Sequence, residues 1–514
     1  MTTTTHARAS TRGSTQRGAR TRGGTVNPHP PAQQPEVGKI PGRDGTYELL
    51  IVGAGPAGLM AARNAAAAGA RVALIESHHI GGNSRYEGCI PSKTIIRSAQ
   101  LFADMRNAQS YGALAPVEVT VDFATVMERM RRVRDRILRV DSPTRLRAEG
   151  IDLHVGRARF VGADAVDVDG MRLTFRKALI ATGSRPLLPD IEGLAESGFL
   201  TNETVFELTA LPPSLLIIGG GPLGCELAQA FARMGCRTLI SHREPLFLPK
   251  EERDAAQMVS HALAHDGVEI HLNCTVVAVR LEGGRKHITM VTEGNRSTTV
   301  VDEILTGIGR RPAVQGLALE RAGVDYDEEG GIQVDDFLRS TNPRIFAAGD
   351  VCVANAFTNT AEASARIVVR NALFRGRQRM SALTVPWCTY TDPQVAHVGL
   401  YVRQARAQGI PVKTYTVPMH DVIRALTDGE EEGFVKIHVR EGTDRILGAT
   451  IVGRRAGELI NHVSLAMTAG LGLRQLARVI PAYPTQGEAV RQAAQACALS
   501  LAPRPPATQK TAAA

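Results

Sequence analysis

One sulfur in this chain sits among residues suited to reactive chemistry. Cys89 lies in the run Gly81-Gly82-Asn83-Ser84-Arg85-Tyr86-Glu87-Gly88-Cys89-Ile90-Pro91-Ser92-Lys93. Pro91 suits the first turn of a helix, where a missing N–H costs nothing, so the spacing places Cys89 at or just before a helix N-terminus. A free thiol titrates near about 8.5, and helix-terminal N–H groups with a nearby cation such as Lys93 favour its thiolate. The chemistry on offer is that of an electron-rich sulfur, if other elements bring a partner to it. The competing role is that of a small packing residue, the ordinary use of a free cysteine.

Two stretches are built to deliver such a partner. Tyr47-Glu48-Leu49-Leu50-Ile51-Val52 is a short apolar run ending in Gly53-Ala54-Gly55-Pro56-Ala57-Gly58; an alanine-rich helical stretch follows, and Arg71-Val72-Ala73-Leu74-Ile75 closes on Glu76. Strand, glycine turn, helix, strand and acid in that order make a dinucleotide-binding unit. Gly53, Gly55 and Gly58 permit the tight turn and close approach of a pyrophosphate, the helix N-terminus faces its charge, and Glu76 accepts from ribose hydroxyls. A second unit begins at Leu215-Leu216-Ile217-Ile218 and runs through Gly219-Gly220-Gly221-Pro222-Leu223-Gly224-Cys225-Glu226 to the strand Thr238-Leu239-Ile240-Ser241, His242 and Arg243. The interval from Gly219 to His242 equals that from Gly53 to Glu76, so His242 stands at the acid's position. An acid there repels a 2′-phosphate; His242 and Arg243 favour one, which points to NADPH, with NADH as the alternative. Two units imply two dinucleotides.

The Cys89 run closely resembles the active-site helix of the FAD-dependent pyridine nucleotide-disulfide oxidoreductases, the family of dihydrolipoyl dehydrogenase, glutathione reductase and mercuric reductase, where it reads G-G-T-C-x-N-x-G-C-x-P-[SK]-K. Further segments resemble the family in unbroken order over about residues 46–500: Ala181-Thr182-Gly183-Ser184-Arg185-Pro186, Gly307-Ile308-Gly309-Arg310-Arg311-Pro312, Ala347-Ala348-Gly349-Asp350, Trp387-Cys388-Thr389-Tyr390-Thr391-Asp392-Pro393 and Tyr483-Pro484-Thr485-Gln486-Gly487-Glu488. The resemblance implies an α/β fold with two Rossmann-like domains, FAD in the first and NAD(P)H in the second, and an α+β C-terminal dimerisation domain. It implies FAD contacts at Gly82, Lys93, Ala181, Thr182, Gly183, Gly349 and Asp350, a nicotinamide-domain exit at Gly309, and a Lys93–Glu226 ion pair beside the flavin. It also implies a homodimer in which residues Tyr483 and Glu488 complete the partner's site.

Two departures shape the functional expectation. The family's first redox cysteine is Ser84 here, and a hydroxyl cannot form a disulfide, so the dithiol cycle cannot run through Ser84 and Cys89. The family's histidine, which protonates the leaving thiol, is Tyr483; a phenol titrates near about 10 and is a poor proton shuttle at neutral pH. Mercuric reductases also tolerate a tyrosine there, but they end in vicinal cysteines, whereas here Cys497 is followed by Ala498. The expected activity is an FAD-dependent NAD(P)H oxidoreductase that delivers electrons to a small-molecule acceptor: a quinone, oxygen, a metal ion or a mixed disulfide with Cys89. The alternatives are disulfide or metal reduction by Cys89 alone, and a flavin-binding sensor without turnover.

Composition narrows the rest. The net charge of +9 over 514 residues looks like a nucleic-acid signal until it is located. Residues 1–40 hold Arg8, Arg12, Arg17, Arg20, Arg22 and Lys39 against Glu36, and the C-terminal end adds Arg504 and Lys510, which leaves a body close to neutral. No nucleic-acid footprint is expected, nor a membrane span, since no apolar run reaches about 18 residues. Seven irregularly spaced cysteines without a C-x-x-C pair argue against a disulfide framework or zinc site and for a reducing cytoplasm. The expected organisation is a disordered tail at 1–45, an FAD-binding domain at 46–190 and 316–382, a nicotinamide domain at 191–315, an interface domain at 383–500 and a second tail at 501–514. Residues 85–110 and 122–148 read as helices and 151–176 as short strands.

Overall fold

The computed structural model describes residues 46–114, 119–353 and 357–502; the N-terminal tail and residues 503–514 lie outside them. The apolar run at Tyr47 becomes the strand Thr46–Val52 of a seven-stranded sheet. It pairs in parallel with Val72–Glu76 on one side and Met171–Ile180 on the other. Ile151–Val155 lies outside Val72–Glu76, and Ala165–Val168 and Ala158–Gly162 extend the other edge antiparallel. A parallel strand covered on both faces needs apolar residues at every position rather than at alternate ones. Leu49 and Ile51 accordingly pack with Leu74, Leu179 and the helix Pro56–Ala67, whereas Leu50 and Val52 pack with Phe160, Phe175 and Ile180 on the opposite face.

The strand Ile345–Ala347 returns from far along the chain to pair in parallel with Ala178, Leu179 and Ile180. The helix Thr358–Leu373 then packs on Pro56–Ala67, with Ala61, Ala65, Ala361 and Ala365 buried in one cluster; small side chains on both helices permit the close approach. A second sheet has the parallel order Glu269–His271, Arg237–Ser241, Ser214–Ile218, Glu303–Thr306, and the helix Pro222–Arg233 follows its glycine turn. The C-terminal sheet is antiparallel, in the order Pro386–Thr389, Gln394–Gly399, Ile446–Gly453, Phe434–Arg440, Val412–Pro418. Val435, Ile437, Ala449 and Ile451 on this sheet share a core with Ile460, Val463, Val490 and Ala493 of the helices Ala456–Thr468 and Glu488–Ser500.

The stretches expected as two long helices are each interrupted. Gly82–Tyr86 is separated from Cys89–Arg106 at Gly88, whose backbone (φ −139°, ψ −114°) is not helical. Phe123–Leu138 is followed by a short 3₁₀ turn and a new helix, Pro143–Ala148. Pro143 explains this second break: it excludes the helical conformation at Ser142 (ψ 146°), whose hydroxyl instead accepts the Arg145 N–H as a cap. Among the described residues no helix is long and apolar enough to cross a membrane.

Candidate active site

The two glycine turns are near copies. Gly53 has φ +103° and Gly219 φ +113°, values that disfavour any residue with a Cβ. A Cβ at Gly53 would strike the Ala181 carbonyl, and one at Gly219 the Gly307 carbonyl; at Gly58 and Gly224 it would strike the carbonyls of Gly53 and Gly219. The helices that follow start at Pro56 and Pro222, and their N-caps, Gly55 and Gly221, provide no side-chain cap. Their first-turn N–H groups are therefore left for a ligand anion, and a Cβ at Gly55 or Gly221 would meet nothing closer than 3.9 Å. Gly82 closes the first cradle from the Cys89 side, since a Cβ there would lie 2.7 Å from Gly55 Cα. Both turns thus meet the steric and electrostatic needs of a bound pyrophosphate.

The acid positions also correspond. Glu76 Oε2 accepts the Ala54 N–H at 2.7 Å and Oε1 accepts the His78 N–H at 2.8 Å. In the second unit His242 Nδ1 accepts the Gly220 N–H at 3.2 Å, so the imidazole takes over the carboxylate's bond to the loop. A ring that accepts through Nδ1 in the neutral state carries its proton on Nε2. That buried Nε2 has no partner within the protein, which leaves a donor where an acid would leave an acceptor. Arg243 is exposed and lies 3.2 Å from Glu244. His242 and Arg243 thus differ in role: His242 is a loop-bound donor, and Arg243 is an exposed cation paired with Glu244.

Cys89 is the first residue of the helix Cys89–Arg106 and the exposed member of the seven cysteines. Burial pushes the thiols of Cys225, Cys388 and Cys497 up, that of Cys236 up to about 11 and that of Cys352 up to about 12, which keeps them protonated at neutral pH. Ser84 Oγ lies 2.9 Å from Thr358 Oγ1, and Cys89 Sγ lies 3.5 Å from the same oxygen. One turn along the helix, Lys93 Nζ meets Glu226 Oε2 at 2.7 Å, bringing together the ion pair implied by the sequence. Glu226 Oε1 accepts the Tyr390 N–H at 2.8 Å, and Lys93 Nζ lies 4.6 Å from the Tyr390 ring centroid. The pair thereby ties the helix Cys89–Arg106 to the helix Pro222–Arg233 of the second glycine-loop unit and to the residue that follows the strand Pro386–Thr389. Burial pushes the Tyr390 phenol up to about 12, with Cys388, Glu226 and Cys89 adding to the rise.

A polar chain ties the remaining motif loops together. Ser184 Oγ donates to Asp350 Oδ2 at 2.6 Å and accepts Arg310 Nε at 2.8 Å. Arg310 Nη1 reaches Asn202 Oδ1 at 2.9 Å, and Asn202 Nδ2 reaches the Glu87 carbonyl at 3.1 Å. Thr182 Oγ1 donates to the Ala313 carbonyl, and Ala313 N–H returns to the Gly183 carbonyl, so these segments and Gly309 meet at one seam. Tyr483 and Glu488 are not brought to Cys89 by any hydrogen bond or ion pair among the described residues. Tyr483 is 70 % exposed, and both Glu488 oxygens bond Arg491, at 2.8 and 3.3 Å. Sequence reasoning missed Thr358, which carries no local signal. It also missed the roles of Tyr390, Ser184 and Arg310, which lay inside recognised motifs, and the Glu488–Arg491 pair, whose three-residue helical spacing was a readable sign.

Comparison with known proteins adds an independent line. Residues 47–366 match the sequence family described as pyridine nucleotide-disulphide oxidoreductase, and residues 385–494 match its dimerisation domain. The chain is 32 % identical over 452 residues to a mercuric reductase of Staphylococcus aureus, covering 88 % of this chain and 82 % of that protein. It is 32 % identical over 463 residues to a dihydrolipoyl dehydrogenase of Thermus scotoductus, covering 88 % and 97 %. Among solved structures, the HOCl-induced flavoprotein disulfide reductase RclA from Escherichia coli, in a Cu(II) complex, superimposes with a TM-score of 0.78 at 30 % identity, covering 87 % of this chain and 99 % of that one.

Proposed function

The chain belongs to the pyridine nucleotide-disulphide oxidoreductase family, whose members are FAD-dependent oxidoreductases that use NAD(P)H, and from that membership we propose that it draws electrons from NADPH and passes them to an acceptor without cycling an internal disulfide. The observation that carries this reading is Ser84: its hydroxyl occupies the exchange position, 2.9 Å from Thr358 Oγ1, and offers no second sulfur to Cys89. Gly53, Gly55, Gly58, Glu76, Gly82, Asp350 and the seam at Ala181-Thr182-Gly183 would hold FAD, and Gly219, Gly221, Gly224, His242 and Arg243 the nicotinamide dinucleotide. Bound FAD supplies the redox relay between the two substrates. Lys93, held by Glu226, would supply a positive charge to the bound flavin, and Cys89 would present its sulfur to the same site.

The division into an FAD domain at 46–190 and 316–382, a nicotinamide domain at 191–315 and an interface domain at 383–500 is supported by the return of Ile345–Ala347 to the first sheet and by the Ser184–Asp350 bond. A homodimer is supported by the dimerisation-domain match and by an apolar surface on the C-terminal part, where Leu465, Val479, Ile480, Tyr483 and Leu499 are exposed. A tyrosine rather than histidine at 483 would then face the partner's site, which fits an acceptor that needs no imidazole proton. The single-thiol reading draws on the exposure of Cys89. A sensor without turnover is disfavoured by the intact Lys93–Glu226 pair and the complete second cradle.

Stopped-flow reduction of the flavin by NADPH, followed by a panel of a quinone, oxygen, Cu(II), Hg(II), lipoamide and glutathione disulfide, tests the proposal. Metal ions belong in the panel because relatives are named mercuric reductases and a structural neighbour is titled a Cu(II) complex. Rapid reduction, turnover with a non-disulfide acceptor and little with the disulfides is the expected outcome. Efficient disulfide turnover that survives Cys89→Ala would contradict it.

A further inference from the structure

Ser84 is more than the loss of a thiol. Its hydroxyl meets Thr358 Oγ1 at 2.9 Å, and the same oxygen meets Cys89 Sγ at 3.5 Å, a separation within reach for sulfur. Thr358 opens the sixteen-residue helix Thr358–Leu373, while Ser84 and Cys89 flank the Gly88 break of the cysteine segment. Three polar side chains from two parts of the chain, far apart in sequence, are thus strung in one line that ends on the exposed sulfur.

The direction of this line follows from hydrogen counting. A thiolate can only accept, so when Cys89 is deprotonated the Thr358 hydroxyl donates its single hydrogen bond to sulfur. The Thr358 oxygen then accepts, and Ser84 is the donor facing it. Two hydroxyls pointing the same way polarise one another, and a hydrogen bond to a charged acceptor is stronger than one between neutral groups. When Cys89 is protonated the line loses its charged end and most of that gain. We propose that Ser84 and Thr358 are positioning residues that form a hydroxyl relay stabilising the Cys89 thiolate, so that the serine at the exchange position holds the remaining sulfur in its charged, electron-rich form. In a dithiol enzyme a second sulfur at this place would exchange into disulfides with the substrate and with Cys89; here the hydroxyl stays unchanged in every redox state. The inference rests on the functional reading above only for the place of Cys89 beside the flavin, and it makes the thiolate a fixed feature of the site rather than a cycling nucleophile.

Other titratable groups stand near the same helix. Lys93 follows one turn along the same helix, its partner Glu226 reaches in from Pro222–Arg233, and the Tyr390 phenol is held close enough to sense the charge of Cys89. The relay is separated from these by substitution rather than by pH alone. The assay is the rate of iodoacetamide alkylation of Cys89 across a pH series on the purified FAD-loaded protein, read by mass spectrometry of the Cys89 peptide. It needs no turnover, so an error about the acceptor would leave it unaffected.

Thr358→Val keeps the shape and removes the donor; the midpoint of the alkylation profile should move up by about one to two pH units, the loss of one hydrogen bond to a charged group. Ser84→Ala should move it up by roughly half a unit and should add nothing in the Thr358→Val background, because its effect passes through Thr358. Thr358→Ser should restore the native profile. An unmoved midpoint in Thr358→Val, or a Ser84→Ala shift of the same size with and without Thr358, would overturn the relay. If Thr358→Val does not fold, Ser84→Ala alone decides: an unchanged midpoint contradicts the proposal and an upward shift supports it.

Discussion

Replacing Glu226 probes how the site is held together. Its carboxylate is nearly buried, with a side chain 4 % exposed, and it accepts from Lys93 and from the Tyr390 N–H. Glu226→Leu removes both acceptors. Breaking a buried ion pair from one side costs about 3–5 kcal/mol; the Lys93 side chain is 34 % exposed and can turn to water, so its share is discounted and about 2–3 kcal/mol is expected, much of it from the stranded Tyr390 N–H. Glu226→Gln retains an oxygen for that N–H and forfeits mainly the charge, about 1 kcal/mol. Thermal unfolding of the FAD-loaded proteins should therefore rank native above Gln above Leu. The rate of flavin reduction by NADPH should fall in both variants by roughly tenfold or more, because the Lys93 ammonium is no longer aimed. A Glu226→Leu protein that melts with the native one and is reduced at the native rate would show that the pair neither braces the site nor orients Lys93.

Other outcomes follow from the same geometry. NADPH should reduce the flavin with a higher kcat/KM than NADH, and Arg243→Ala should lower the NADPH value by roughly tenfold with little effect on NADH; equal efficiency with both nucleotides would remove the basis for the assignment. The holoprotein should scatter light as a dimer at micromolar concentration, and Ile480→Asp, which places a charge on a residue 94 % exposed in the single chain, should weaken that association; a native protein that stays monomeric would refute it. At Glu252 burial alone would raise the carboxyl, but the hydrogen bonds and charges of His438 and Lys436 outweigh it and hold the group at about 2. A depressed carboxyl adds stability above its unfolded pKa of about 4.5 and loses it as pH falls toward about 2, so Glu252→Gln should lessen the acid sensitivity of unfolding across that window, by up to about 3 kcal/mol. An identical pH dependence in native and variant proteins would show that the bonds do not hold the C-terminal sheet to the segment before Arg253.

What could be read from the sequence was whatever local backbone geometry dictates. Gly53, Gly58, Gly219 and Gly224 are required because neighbouring carbonyls occupy the space of a Cβ, and that requirement has a fixed spacing. The same spacing placed His242 opposite Glu76, but which ring nitrogen would meet the Gly220 N–H depends on a rotamer, and sequence is silent on rotamers. Lys93 and Glu226 were paired in advance only through resemblance; no periodicity connects a residue at the start of one helix to a residue in another. Thr358 shows the limit most plainly. Its hydroxyl matters because the helix Thr358–Leu373 leans on Pro56–Ala67 and so arrives beside Ser84 and Cys89, a tertiary outcome of alanine packing that leaves no mark around Thr358. Pro91 marks the helix start that the structure places at Cys89, whereas the break before Pro143, equally visible in the sequence, lies between two segments of helical composition that mask it.

The absence of an internal dithiol is tested most directly by an anaerobic reductive titration of the FAD-loaded protein with NADPH, followed by flavin absorbance and by thiol counting under denaturing conditions. The flavin should be fully reduced by about one equivalent of NADPH per FAD, with no change in free thiols, and Ser84→Cys should raise the requirement to about two and release two thiols, as a disulfide with Cys89 becomes available. Uptake of about two equivalents by the unmodified protein, with thiols released, would mean that a second redox pair operates in this chain and that Ser84 does not define its chemistry.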